Sequence, residues 1–571
     1  MLLSLGDYIL TAIAFLIILG AIILIHEGGH FFFATRAGIL CREYAFGMGP
    51  LLWKKKKGET LYSIRAFPVG GFCAICGEES ESDPLKDLKN IRFDVNEKGL
   101  IDKIYLPTDG KNKVSLFDDK PLYRLISYDL YDEKDTGKLY MTVAPVDSED
   151  DSKAQTFDVD PQANFVFGLR GCDDERVSKE KRLQKCVGEY QIGPHNRTLD
   201  SKTFGQRIMV MFGGPMMNFV LAVLVFFIGF CITGVSNTNS NVVAEFEDSE
   251  DVKLVSPLYN AGIRGGDKIT KLASGDLEID VESWNEISKF MDEYSEMEIK
   301  NDVTVTYLDS NNNSKTVTVT PMVYIYSISM YQDLSSDEVK IASLVEKSKA
   351  YQAGLREGDV IEKIIVKDNE TVISSWIEVY DVFASVTDGE TDVTLRVKRD
   401  GNSLDEDIVV RPYSKKLFDK TQNVGIVDLK LGISCTQTRN IFSVVRSTFK
   451  QMWVSIRQLF NTLGMLIFSK SVGIKDLSGP VGIFTMTKSA LGGGIGNLFY
   501  WCGFLSVNVG FMNLLPIPAL DGGRILFLII EKVRRKPVSR KVQDIAISVT
   551  YYALLALILY VTINDVLRIV K

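Results

Sequence analysis

Four long apolar runs punctuate an otherwise polar chain. They cover about residues 8–34, 208–233, 498–519 and 545–563. Each reaches the roughly 20 residues that an α-helix needs to cross a bilayer. They predict transmembrane helices within 1–40, 205–235, 477–523 and 545–566. Residues 41–77 instead break into short alternating runs around a turn at Lys57 and Gly58 and a Gly70, Gly71 pair, which predicts a β-hairpin. Strands beside a bilayer must pair, so this hairpin is expected to dip toward the membrane. Residues 78–202 mix strand-like pieces (KLYMTVAPV) with helix-like ones (DERVSKEKRLQKC) and read as an α+β insert. Over 440–475, apolar positions recur at helical spacing among Lys and Arg, the pattern of an amphipathic linker helix at a membrane surface.

The segment 240–436 repeats itself. SPLYNAGIRGGDKITKL, from Ser256, matches SKAYQAGLREGDVIEKI, from Ser348; Asp267 and Asp359 stand 92 residues apart, as do Trp284 and Trp376. Several features in one register mark two tandem domains, 240–325 and 326–436. Their A-G-[IL]-x-x-G-D signature resembles the PDZ domain in the permuted form found in bacterial proteases. That resemblance implies domains that take an extended peptide at a sheet edge, or that serve as size filters or spacers.

Charge sets the expected topology. Arg36, Arg42 and the lysines at 54–57 follow the first run; Lys532, Arg534, Arg535, Lys536, Arg540 and Lys541 lie between the third and fourth. By the positive-inside rule both loops are cytoplasmic, which puts the chain ends and the 235–438 segment outside. No basic residue precedes the first run and no small-x-small pattern follows it, so it reads as a retained helix and not as a cleaved signal. A net charge of −8 argues against nucleic acid as a partner. Of the eight cysteines only Cys435 falls in the outer segment, so no disulfide framework is expected there. Cys73 and Cys76 could join Cys172 and Cys186 in a zinc site, but the spacing favours ordinary thiols. The expected architecture is a polytopic α-helical membrane protein with four transmembrane helices, a membrane-associated β-hairpin, two extracytoplasmic PDZ-like domains and a cytoplasmic α+β insert.

The first apolar run contains HEGGH at residues 26–30. Residues four apart share a helix face, so His26 and His30 can offer two imidazoles to one ion, with Glu27 beside them as a base. H-E-x-x-H on a helix is the pattern of zinc metalloproteases. Ionisable groups inside an apolar span are costly and default to function, and two of the three histidines are spent here. The third, His195, is expected to be structural or exposed. Catalytic zinc takes three protein ligands and leaves a position for water. Asp521 supplies a carboxylate where Pro516, Pro518, Gly522 and Gly523 break the third run, and such a break is tolerated where it lines a cavity.

Taken together, H-E-x-x-H in the first helix, N-x-x-P-x-P-x-L-D-G near the end and PDZ-like domains between them resemble the site-2 protease family, in its RseP-type branch. GGPMMNF in the second run and LSGPVGI at 477–483 match as well. The resemblance implies a zinc endopeptidase that cuts single-span proteins within the membrane, such as anti-sigma factors or remnant signal peptides. It also implies His26, His30 and Asp521 as zinc ligands, Glu27 as general base, and Asn513 as a substrate or oxyanion contact. The hairpin resembles the family's membrane-embedded β-loop, so Tyr62, Ser63, Ile64 and Arg65 are expected to clamp substrate on a free strand edge at 59–67. Arg524 stands where part of the family has histidine, and the 78–202 insert is longer than the resemblance leads one to expect. A catalytically silent PDZ-bearing scaffold is the alternative, which the intact motif weighs against. Four spans with no repeat among them make a transporter a weak reading.

Overall fold

The computed structural model describes residues 5–570 except 79–82, 87, 107–116, 118, 133–135, 147–152, 169–186, 247–252, 254, 346–347, 416–424 and 469–476. The chain divides into two units, Met1–Val225 with Lys475–Lys571, and Phe226–Ile474. Among the described residues, four helices are long and apolar enough to cross a membrane: Gly6–Arg36, Phe204–Thr233, Ile495–Asn513 and Arg540–Leu567.

In the first unit, α1 (Leu5–Arg36) packs against α2 (Phe204–Thr233) through glycines. A Cβ at Gly29 would stand 2.2 Å from the Gly213 carbonyl oxygen, and one at Gly213 would stand 2.8 Å from that of Gly29. Only small residues let two backbones approach this closely inside a membrane. Ile18, Ile22, Leu221, Val225 and a leucine further along the chain, Leu505, form the apolar core beside them.

β1 (Cys41–Lys57) and β2 (Thr60–Ile75) form a sheet that folds back on itself. Trp53, Lys54, Lys55 and Lys56 pair with Ile64, Ser63, Tyr62 and Leu61, and those same four residues also pair with Phe46, Ala45, Tyr44 and Glu43. The other side of 44–46 pairs with Gly71, Phe72 and Cys73. The 61–64 run therefore has partners along both edges. Over 61–64, the middle of the expected free edge at 59–67, no edge is free: the outer run is 71–75, which pairs only with β1 among the described residues. Tyr44 donates its hydroxyl to the Leu24 carbonyl at 2.6 Å, and Phe46 covers Gly20, so the sheet is seated on α1.

The insert is built from β3 (Asn90–Val95), β4 (Ile101–Tyr105), β5 (Tyr123–Asp129), β6 (Tyr140–Pro145), β7 (Gln155–Gly168) and β8 (Val187–Gln191). They run in the order β4-β3-β5-β6-β7-β8, and a β4–β7 pairing closes the first five into a ring. Closure removes exposed edges, and Ile91, Phe93, Ile101, Ile104, Met141 and Phe165 fill the interior. The helix-like piece read at 174–186 lies outside the described residues. Arg197, at the insert's end, grips Glu59 with two bonds of 2.6 Å, which holds that carboxyl below its ordinary range. His195 is exposed.

The second unit repeats in space what it repeats in sequence. Helices α3 (Trp284–Glu296) and α4 (Trp376–Ser385) both begin on a capping box, Ser283 with Glu286 and Ser375 with Glu378. Asp267 and Asp359 each accept the main-chain N–H three residues earlier at 2.8 Å. Beyond the second repeat, Asp428–Lys430 returns to pair with Met322–Ile325, whose other edge pairs with Met330–Gln332. The amphipathic helix expected over 440–475 is α5 (Ile441–Phe468), with Phe442, Phe449, Trp453, Phe460 and Ile467 exposed along one face.

Back in the first unit follow α6 (Pro480–Gly492), α7 (Ile495–Asn513), α8 (Asp521–Arg534) and α9 (Arg540–Val570). The third apolar run thus carries one helix, α7, and ends in a non-helical stretch at 514–520 that leads into α8. Gly522 and Gly523 make that stretch possible. Cβ atoms there would lie 2.3 Å from the Leu514 carbonyl oxygen and 2.2 Å from that of Ile517.

Candidate active site

The break between α7 and α8 delivers Asp521 to the face of α1 that carries the histidines. Asp521 Oδ2 lies 3.2 Å from His26 Nε2 and 3.4 Å from His30 Nε2, and the two Nε2 atoms are 3.3 Å apart. Four-coordinate zinc with bonds of about 2.0–2.1 Å has ligand atoms about 3.3–3.4 Å apart at its tetrahedral edges. The triangle of donors fits one such face. Both histidines are buried, and among the described residues no hydrogen bond reaches the buried Asp521 Oδ2.

Protons explain why that oxygen is bare. His30 Nδ1 is 2.8 Å from the Val210 carbonyl, an acceptor, so Nδ1 carries the proton and Nε2 of the neutral ring offers a lone pair. Lone pairs converging on a carboxylate oxygen are unfavourable unless a cation sits among them. The set suits zinc in its chemistry as well as its spacing: two imidazoles and a carboxylate, with room in the donor count for water.

Glu27 is half-buried and faces the hairpin. Its carboxylate meets the main chain of Cys73, and a Cβ at Gly71 would lie 3.6 Å from its Cγ. The outer run of β2 therefore passes directly beside Glu27. Arg524, three residues past Asp521, pairs with Glu78.

The remaining expected residues divide. Asn513 is the last residue of α7 and is half-buried. Ser63 and Arg65 are spent within the hairpin on Glu43, at 2.5 and 2.7 Å. Tyr62 packs on Phe31 and Tyr44, with ring centroids 6.0 Å apart in each case, and Ile64 sits in the doubly paired run. Of the proposed four-cysteine cluster, Cys73 and Cys76 are buried, while Cys172 and Cys186 lie outside the described residues.

Two further residues touch the centre. A Cβ at Gly214 would stand 2.3 Å from His30 Nε2, so α2 presses its bare backbone onto the two histidines. Asn218 places its carboxamide Nδ2 3.1 Å from His26 Nδ1. Their signal in the sequence is GGPMMN: paired glycines and an amide inside an apolar span, where a polar side chain calls for a function.

A family model described as peptidase family M50 matches residues 14–557. The chain is also similar to several curated bacterial proteins along its whole length. One is a zinc metalloprotease RasP of Oceanobacillus iheyensis, 27% identical over 561 residues, spanning 98% of this chain and 99% of that one. Another is a regulator of sigma-W protease RasP of Bacillus subtilis, 28% identical over 562 residues with the same coverage. A third is a putative zinc metalloprotease of Staphylococcus aureus, 28% identical over 569 residues, again covering 98% and 99%.

Proposed function

The chain belongs to peptidase family M50, the zinc-dependent site-2 proteases, and from that premise we propose that His26, His30 and Asp521 hold its zinc and that Glu27 is its general base. It is an intramembrane zinc metalloprotease. The observation that carries the site assignment is the 3.2, 3.3 and 3.4 Å triangle of donor atoms, brought together from residues almost five hundred positions apart.

Held there, zinc would supply Lewis-acid polarisation of the scissile carbonyl and a water whose pKa is lowered toward about 7. Glu27 would take a proton from the attacking water as the water oxygen bonds to the carbonyl carbon. It would then give the proton to the amide nitrogen as the C–N bond breaks, the usual division of labour for a base beside two ligands. Asn513, at the end of the broken helix, is proposed to contact the substrate or its oxyanion.

A helical substrate hides its peptide groups in its own hydrogen bonds, so it must be held extended to be cut. We assign that task to the outer run of β2, residues 71–75, in place of 61–64. An added strand needs an unpaired edge. By alternation the N–H groups of Gly71 and Ile75 face away from β1, that of Cys73 between them meets the Glu27 carboxylate, and that of Cys76 turns the other way to the Leu40 carbonyl at 2.9 Å.

The substrates are proposed to be single-span membrane proteins, anti-sigma factors or remnant signal peptides among them. One relative's name, regulator of sigma-W protease, fits the first class. The loop charges support a topology with the hairpin and insert cytoplasmic and the tandem repeats outside. As PDZ-like domains, those repeats are proposed to filter substrates by size or to take an extended peptide; the Met322–Ile325 strand, paired on both edges, is not where a peptide would add.

The test is Glu27→Gln in purified protein with a model transmembrane substrate. Cleavage should fall by about 10²–10⁴ with zinc still bound at one per chain. Undiminished cleavage would remove Glu27 from the mechanism.

A further inference from the structure

Zinc bound through His26 Nε2 requires the ring proton on Nδ1. A buried N–H must in turn have an acceptor. The group 3.1 Å from Nδ1 is the carboxamide of Asn218, a fully buried residue one turn past Gly214 on α2. It presents its Nδ2 to the ring, and its own Oδ1 has no partner among the described residues. A half-turn of the carboxamide exchanges the two atoms. The orphaned oxygen then meets the one ring nitrogen that needs it. The alternative, Nδ2–H donating to a bare Nδ1, would put the ring proton on Nε2 and block the ligand.

Asn218 is held for this purpose. Ser506 Oγ donates to its main-chain carbonyl at 2.8 Å. Gly510 lets α7 close in behind it, where a Cβ would come 3.2 Å from the Asn218 Cβ and 3.0 Å from the Pro215 carbonyl oxygen. The arrangement parallels His30, whose Nδ1–H is taken by Val210. One ligand is oriented by main chain and the other by a side chain, which is therefore open to substitution.

We propose that Asn218 is a positioning residue for the metal centre: its carboxamide oxygen accepts the His26 Nδ1–H, fixes the tautomer and aims Nε2 at the metal. The inference rests on His26 being a ligand. Partners of this kind typically contribute 10–100-fold in metal affinity.

The test compares Asn218→Leu and Asn218→Asp in the full-length protein, reading zinc affinity by chelator competition beside thermal unfolding. The expected result is a roughly 10–100-fold loss for Asn218→Leu, with Asn218→Asp near wild type because an aspartate oxygen also accepts the N–H. A purely structural role predicts the reverse, since leucine suits a buried span and a carboxylate does not. That reversed order, or equal affinity in Asn218→Leu and wild type, overturns the proposal. Nitrogen-15 NMR of histidine-labelled, zinc-loaded wild type reads the same point without substitution. The His26 proton should be on Nδ1 and hydrogen-bonded, and a bare Nδ1 overturns the assignment. Should His26→Ala bind zinc normally, the ligand assignment itself fails, an outcome distinct from either of these.

Discussion

Asp565 Oδ2 accepts the main-chain N–H of Gly479 at 2.8 Å and that of Gly482 at 2.9 Å. A buried carboxylate from α9 thus caps the first turn of α6, which has no side-chain cap of its own. The helix dipole and two orphan donors make a carboxylate tolerable in an apolar span. The glycines of LSGPVGI are needed for the approach, because Cβ atoms there would stand 3.0 and 3.3 Å from that oxygen. Asp565→Ala should cost about 1–2 kcal/mol, the usual range for losing a cap, and Asp565→Asn should cost less. Thermal unfolding in detergent reads both, and an unchanged midpoint for the alanine variant would show the cap to be dispensable.

Gly214→Ala should abolish zinc binding without unfolding the protein. The added methyl would lie 2.3 Å from His30 Nε2, inside the space the donor atoms share. Metal content of the purified variant decides this. A stoichiometric ion at wild-type affinity would mean that α2 can back away.

The clamp assigned to 71–75 separates two proline substitutions. Ile75→Pro removes an outward N–H at the open edge. It should cut cleavage of a helical substrate about tenfold or more while zinc stays bound, with a smaller effect on a substrate already loosened by Gly or Pro near its cut site. Ser63→Pro strikes a run paired on both sides and should destabilise the hairpin as a whole. Equal cleavage of both substrates by Ile75→Pro and wild type would leave the edge without a role.

Topology is open to labelling. An impermeant thiol reagent applied outside cells should reach a cysteine placed at Asn312 and miss one placed at Lys98, both exposed positions. The opposite pattern would invert the arrangement drawn from the loop charges.

The proposed chemistry was legible in the chain. HEGGH in an apolar span, LDGG at a proline break and a single other histidine pointed to the proposed ligands, because covalent spacing on a helix places His26 and His30 together before any tertiary contact forms. It also announced the four apolar helices and the repeated segment at 240–436, since hydropathy and period are local properties. Which strand edge stays open, which backbone atom takes the proton of His30, and that Gly214 and Asn218 reach the centre were decided by tertiary structure. Those facts depend on how β2 folds back around 44–46 and how closely α1, α2 and α7 approach across their glycines. Such pairings join residues from distant parts of the chain, and nothing in the local pattern of either partner specifies them.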